Sequence, residues 1–347
     1  MRLPAIYVLP VLFCSAMAAS AATFVVDVGG SGDHTEIKPA MSAASEGDTI
    51  LVLGGTYTGE NNRYLRPYGK NLTYLADDRG RAPVVIDCEG EELAFYFDHA
   101  DHSSTLVCGF TIINGHNNAT GGAVQVTPDA GSPEFLDCTF IGNYSAVGGG
   151  AIAFSGSASE VTGCVFRGND AQHRGGAIFA MDSTLRVSQC LFDENTCSGG
   201  TEGGGALYLR TSHDRIEYCT IVENDLDQIL IYGATSTVLI KNCIIADSVS
   251  GKSVGKATNE IGGTVTKCII TRNPGGDQPE CSAVDNLYTD PLFCDAPADL
   301  YWVCDNSEAI WDNNTWLEQV GVYGSGCPDC ESPVRSSTWG EIKALYR

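Results

Sequence analysis

Apolar and polar positions between Gly121 and Asn273 recur with a period much longer than that of a helix or strand. Four times a glycine pair runs into alanine and an aliphatic residue: Gly121-Gly122-Ala123-Val124, Gly149-Gly150-Ala151-Ile152, Gly175-Gly176-Ala177-Ile178 and Gly204-Gly205-Ala206-Leu207. A second phrase, a cysteine followed two residues later by Phe or Ile, occurs at Cys138, Cys164, Cys190, Cys219, Cys243 and Cys268. Successive members lie 24 to 29 residues apart. Asn143, Asn169, Asn195, Asn224 and Asn273 close five of the six phrases. A repeat of this length is one unit of a stacked array, which buries its apolar face only against its neighbours.

Within the glycine phrase the apolar side chains alternate, as in Val124 and Val126 or Ile152 and Phe154. Period two predicts strands. The cysteine phrase breaks that parity, because an apolar residue stands three positions before each cysteine: Phe135, Val161, Val187, Ile216, Ile240 and Val265. Burying both ends requires a corner between them. Asp137, Gly163 and Asn242, each just before its cysteine, are types that tolerate the left-handed backbone of a sharp bend. Short strands joined by corners predict an all-β fold, a right-handed parallel β-helix solenoid. A leucine-rich-repeat solenoid, with its leucine consensus and usual helix per repeat, does not fit. Equivalent positions then stack into a thiol ladder, a Phe/Ile ladder and an Asn ladder.

Outward positions follow from the same parity. On the glycine strand the outward slots are an alanine row (Ala123, Ala151, Ala177, Ala206), then Phe179 and Tyr208, then Met181 and Arg210. Phe179, Tyr208 and Arg210 are the candidate ligand contacts. One residue past each cysteine, Thr139, Val165, Leu191, Thr220, Ile244 and Ile269 form a mostly aliphatic outward stripe. Such a stripe either reflects only the preference of β-branched residues for strands or marks a covered surface, the cover then being the segment around Trp302–Trp316 or a partner.

The flanks are less regular. Residues 1–22 read as a signal peptide, with Arg2, an apolar Ile6–Phe13 core and small residues at Ala19-Ser20-Ala21. Residues 23–294 are assigned to the solenoid, with a cap over 23–48 and repeats over about 106–273. The cap contains an amphipathic helix at Glu36–Ala44, as a terminal unit requires. Leu106–Ile112 reads as strand. Asp290–Cys294 and Tyr301–Cys304 read as a last irregular turn, in or beside a cysteine-containing end over 295–330. A linker and short tail follow at 331–347.

Fifteen cysteines and a net charge of −23 change the picture in two ways. The six regular cysteines fill a slot that wants a small apolar group, so free buried thiols are expected there. Cys281, Cys294, Cys304, Cys327 and Cys330 lie off the ladder and are the disulfide candidates in an exported chain. The acidic balance argues against nucleic acid and anionic membranes as partners. No stretch after the signal is long and apolar enough to span a membrane.

At the N-terminal end the stretches Phe24-Val25-Val26-Asp27, Glu46-Gly47-Asp48-Thr49-Ile50, Gly55-Thr56-Tyr57-Thr58-Gly59, Val85-Ile86-Asp87-Cys88 and Cys108-Gly109-Phe110-Thr111-Ile112 resemble pectin-lyase-fold proteins. The glycine and cysteine phrases resemble the repeats of polymorphic outer-membrane-protein-like β-helix proteins. The ending from Trp339 is similar to tails of exported bacterial β-helix proteins. The resemblance covers most of Thr23 to about Cys294. It implies the fold, and only loosely an activity, because that fold hosts lyases, hydrolases and adhesins.

Chemistry is sparse. No paired carboxylates appear on the glycine strand. Asp193-Glu194 reads as solvated charge in a turn. Phe97-Asp98-His99-Ala100-Asp101-His102 reads as a surface turn, since a strand would put His99 and His102 on opposite faces. No catalytic residue, metal ligand or cofactor is assigned. The expected function is a non-catalytic secreted or cell-surface scaffold for adhesion or glycan contact, with a polysaccharide or cell-surface component as partner. The alternative is a polysaccharide lyase or glycoside hydrolase, the lyase using calcium.

Overall fold

In the computed structural model, the residues described are 21–327 without 78–81, 99–104, 200–202, 234, 258–261, 294–300, 302, 311–312, 317 and 322–324; 325–327 are described as backbone only. The expected signal peptide up to residue 20, His99 and His102, Cys294, Cys330 and the expected 331–347 linker and tail therefore lie outside the described residues. Three long parallel sheets of eleven, nine and seven strands form the solenoid, with a four-stranded sheet between the last two. A turn runs from the eleven-stranded sheet, as at Glu134–Leu136, to the nine-stranded sheet at Thr139–Ile141. It continues through Tyr144–Ser145 and the glycines to the seven-stranded sheet at Ile152–Ser155, and returns at Glu160–Thr162. Among the described residues no helix is long and apolar enough to cross a membrane.

Both corners are built from left-handed backbone. The six residues preceding the ladder cysteines, Asp137, Gly163, Gln189, Tyr218, Asn242 and Lys267, all have φ between 51° and 66°. Gln189, Tyr218 and Lys267 are not turn-formers by composition, and a non-glycine residue pays roughly 1–2 kcal/mol there. Stacking offsets this cost: the N–H of each corner residue from Asp137 to Asn242 donates to a carbonyl of the following turn. At the second corner Asn143, Asn169, Asn195 and Asn224 are buried. Each of the first three donates from Nδ2 to Oδ1 of the next asparagine at 2.8–2.9 Å. A buried amide needs several partners, and the stack supplies them.

The main core fills the solenoid from Val26 to Ile270. Phe140, Phe166 and Phe192 stack at 5.0 and 4.8 Å between ring centroids. The six ladder cysteines are free and fully buried, as expected. Phe110 takes the thiol slot one turn earlier, while Cys108 pairs with Leu136 and is only half-buried. The helix at Ile37–Ala43 buries Ile37, Ala40 and Met41 against the first strands.

Four expectations need correction. The alanine row does not face out: Ala123, Ala151, Ala177 and Ala206 belong to the main core. The N–H groups of Ala123 and Val124 both donate to the Ala151 carbonyl, so the backbone bends there and sends consecutive side chains inward. Leu106–Ile112 is two strands, Leu106–Cys108 and Thr111–Ile113, separated by Gly109 at φ +81°. Cys281 carries a free thiol, half-buried against the core, whose pKa burial pushes up to about 11. Cys304 is disulfide-bonded.

The fourth correction concerns the C-terminal end. Phe293, Tyr301 and Val303 do not close the solenoid with a last turn. The described residues between Leu287 and Gly321 lie along the nine-stranded sheet as a strap. Phe293, Val303, Ala309 and Val320 bury against Leu191, Val222, Ile244, Ala246 and Ile269, an apolar cluster separate from the main core. The outward stripe is thus covered by the segment expected to cover it, over its later turns. Glu318 fastens the strap: Lys267 Nζ lies 2.6 Å from Oε1 and Asn242 Nδ2 donates to Oε2 at 2.6 Å. The Lys267 ammonium and the Asn242 amide hold its carboxyl down to about 2. Gly321, at φ +85°, passes so close to Ile244 that a Cβ would come within 2.7 Å of its Cδ1.

One buried carboxyl makes stability depend on pH. Asp214 accepts the Leu185 N–H at 2.7 Å, and burial pushes its carboxyl up to about 7 from an ordinary 3.8. The folded protein therefore holds this proton more tightly than the unfolded chain. The contribution is complete below pH 4 and is lost as pH rises through about 7. Asp214→Asn should remove that loss. Urea melts from pH 4 to 8 should show the parent losing stability relative to the variant by an amount on the order of a few kcal/mol. Parallel curves would contradict the buried, protonated carboxyl.

Candidate functional site

In-register parallel strands stack equivalent positions about 4.8 Å apart, so the outer face of the seven-stranded sheet carries rows of side chains along the axis. One row runs Tyr96, Gln125, Ala153, Phe179, Tyr208, Leu230. A parallel row includes Ser155, Met181, Arg210 and Tyr232, all half-exposed.

The candidate contacts divide between these rows. Phe179 and Tyr208 are on the outer face but only 4% and 3% exposed, forming a small apolar cluster with Ala153 and Leu230. Chain folded over them explains this. A Cβ on Gly148 would stand 3.1 Å from the Phe179 ring, and the Arg174 guanidinium lies 5.7 Å from the Tyr208 centroid. Periodicity gives the face of a strand but cannot show what a neighbouring turn lays across it. Arg210 remains half-exposed, with its guanidinium 5.5 Å from the Tyr232 centroid. Available contact area therefore lies at Met181, Arg210 and Tyr232.

A second arginine–aromatic station stands on the same face near the N-terminal end. Tyr64 and Tyr96 stack at 5.5 Å, and the Arg66 guanidinium lies 4.9 Å from Tyr68 and 5.6 Å from Tyr96. Arg66 also pairs with Asp98, which raises the guanidinium pKa above its ordinary value. Five strand spacings separate the rungs of Tyr96 and Leu230, about 24 Å. The sequence signal for this station was the Tyr-x-x-x-Tyr around Arg66, which has no repeat to align with.

A third group escaped the sequence reading. Asp193, Glu194 and Glu223 bring carboxylate oxygens within 4.8 Å of one another. Asp193 is 3% exposed rather than solvated. Arg167 Nε lies 2.9 Å from its Oδ2, and Tyr301 Oη of the strap donates to its Oδ1 at 2.7 Å. Burial pushes the Tyr301 hydroxyl pKa up, with the Asp193 charge adding to it. Aligning the second-corner slot would have found the pair, because Glu194 and Glu223 occupy it on consecutive turns, both at positive φ. Their arrangement anchors the strap: Arg167 offsets charge and Tyr301 covers Asp193.

No curated protein matches the chain. Among solved structures, a pectin methylesterase from carrot is similar over 77% of this chain and 88% of its own, at 14% identity and a TM-score of 0.48. A rhamnogalacturonan lyase is similar over 79% and 90%, at 12% identity and a TM-score of 0.36. Neither likeness is close enough to carry an activity across. Residues 122–288 match the family model described as "Right handed beta helix region". The stacked parallel sheets form an all-β parallel solenoid, consistent with a right-handed parallel β-helix, and the match runs through its repeats.

Proposed function

We propose that the protein is a non-catalytic exported or cell-surface scaffold whose seven-stranded face contacts a linear glycan. The observation that carries this reading is the pair of arginine–aromatic stations, Arg66 with Tyr68 and Tyr96, and Arg210 with Tyr232, on one face. Aromatic faces pack against the C–H faces of sugar rings, and guanidinium groups donate to hydroxyls. A separation of about 24 Å suits a polymer lying along the axis. The solenoid holds both stations on rigid strands, which lowers the ordering cost of binding. The acidic cluster favours catalysis less, because Asp193 is buried and engaged by Arg167 and Tyr301. Export rests on the pattern of residues 1–22 alone.

A panel of neutral and uronate polysaccharides tests the reading. At least one should bind, and Arg210→Ala with Tyr232→Ala should weaken it about tenfold or more, equivalent to roughly 1.4 kcal/mol. Unchanged binding by the double variant would remove the face from the account. Turnover of any polysaccharide, with or without calcium, would reject the non-catalytic assignment.

A further inference from the structure

The repeat loses its regularity at one turn. The glycine phrase at Gly204-Gly205 has no successor: the next strand of that sheet starts at Asp227, preceded by Leu226. Pairing between Gly204–Arg210 and Asp227–Tyr232 shifts register between Gly204 and Leu207. Leu226 adopts φ +52°, a conformation that branched side chains rarely take and that persists only where the surroundings enforce it. A pocket of about 390 Å³ opens at this break, lined by Leu226, Asp227, Leu230, Ser250, Lys256 and Ala257. Glycines make room for it. A Cβ on Gly251 would lie 1.9 Å from the Leu226 carbonyl carbon, and one on Gly255 would lie 1.7 Å from Asp227 Oδ2.

The lining has a definite chemistry. Asp227 Oδ1 accepts the Lys252 N–H at 2.8 Å, which orients the carboxylate. Lys252 Nζ is committed to Glu280 at 2.5 Å. Lys256 gives its backbone N–H to Glu280, and its ammonium has no ion pair among the described residues. Asp227 and Lys256 are the charged residues of the lining, one of each sign. It offers a carboxylate acceptor, an ammonium donor and an aliphatic wall at Leu230. A polyhydroxylated ring needs that combination: neighbouring hydroxyls donate to the carboxylate, another accepts from the ammonium, and the C–H face meets the wall. Leu230 also packs in the cluster of Phe179 and Tyr208, so the pocket adjoins the aromatic face.

Resting on the glycan-contact reading, we propose that this pocket receives a single neutral hexosyl unit at the end of the glycan, held by Asp227 and Lys256. A uronosyl unit fits less well, because its carboxylate would stand beside that of Asp227, which lines the pocket.

Calorimetric titration of the full chain with the methyl glycosides of glucose, galactose, mannose and galacturonic acid tests this. At least one neutral glycoside should bind, and the galacturonoside should bind less tightly than it. Asp227→Asn keeps an acceptor for the Lys252 N–H and should weaken the neutral glycoside at least tenfold. Lys256→Ala, at a half-exposed side chain, should weaken it severalfold and serves if the first variant does not fold. Glu160→Ala, at an exposed position of the eleven-stranded sheet, should leave it unchanged. Wild-type affinity in both pocket variants, or tighter binding of the galacturonoside, overturns the proposal. Binding of a polysaccharide that Tyr232→Ala abolishes, with no glycoside bound, also overturns the pocket while leaving the glycan-contact reading in place. Failure of every polysaccharide and glycoside to bind sinks both.

Discussion

Replacing Phe166 by alanine should destabilise the solenoid by about 3–5 kcal/mol. Phe166 is fully buried, with Phe140 stacked on one side at 5.0 Å and Phe192 on the other at 4.8 Å. Truncation removes both ring contacts and leaves a cavity in mid-array, where neither turn can collapse inward without breaking its own strand register. Its flanking strands pair on both sides, Phe140 with Phe166 and Phe166 with Phe192, so the loss is shared by three turns. Urea melts of parent and variant measure it. A change well under 1 kcal/mol would mean that the Phe/Ile slot does not hold the turns together.

The second large effect is expected at the strap. Changing Ile244 and Ile269 together to lysine should detach it rather than unfold the solenoid. Both residues are fully buried, in the cluster that the strap completes and outside the main core. Keeping two unpaired ammonium groups buried there would cost several kcal/mol. Releasing the strap lets both lysines reach water, at the cost of the contacts of Phe293, Val303, Ala309 and Val320. The four tryptophans of the chain, Trp302, Trp311, Trp316 and Trp339, all lie at its C-terminal end. Their fluorescence therefore reports on this region, whereas circular dichroism reports on the sheets. The double variant should show red-shifted emission and early proteolysis between 290 and 321, with the β-sheet signal retained. Unchanged emission would mean that the strap does not cover these two side chains.

Much of the solenoid was legible because identical slots repeat. Parity put Phe135, Phe140 and Phe154 inward, and the mismatch of parity at the cysteines required a corner, which Asp137 and its counterparts supply at positive φ. The outward stripe and its cover could be read for a similar reason: Leu191, Ile244 and Ile269 are too apolar to be left in water. What was not legible depends on contacts without period. Ala123 and its equivalents turn inward because one carbonyl accepts two N–H groups, and no residue type announces that geometry. Tyr208 is hidden by Arg174 from another turn, and Asp193 by Tyr301, 108 residues away. The pocket at Asp227 arises where the repeat fails, so a consensus describes its surroundings but not its shape.

The central functional claim is that the seven-stranded face meets the ligand. Backbone hydrogen exchange, with and without the tightest-binding polysaccharide of the panel, tests it most directly. The account predicts added protection at residues 64–68, 95–97, 207–210 and 227–232, where the two arginine–aromatic stations stand. Protection confined to the nine-stranded flank under the strap, or to the eleven-stranded sheet, would contradict it.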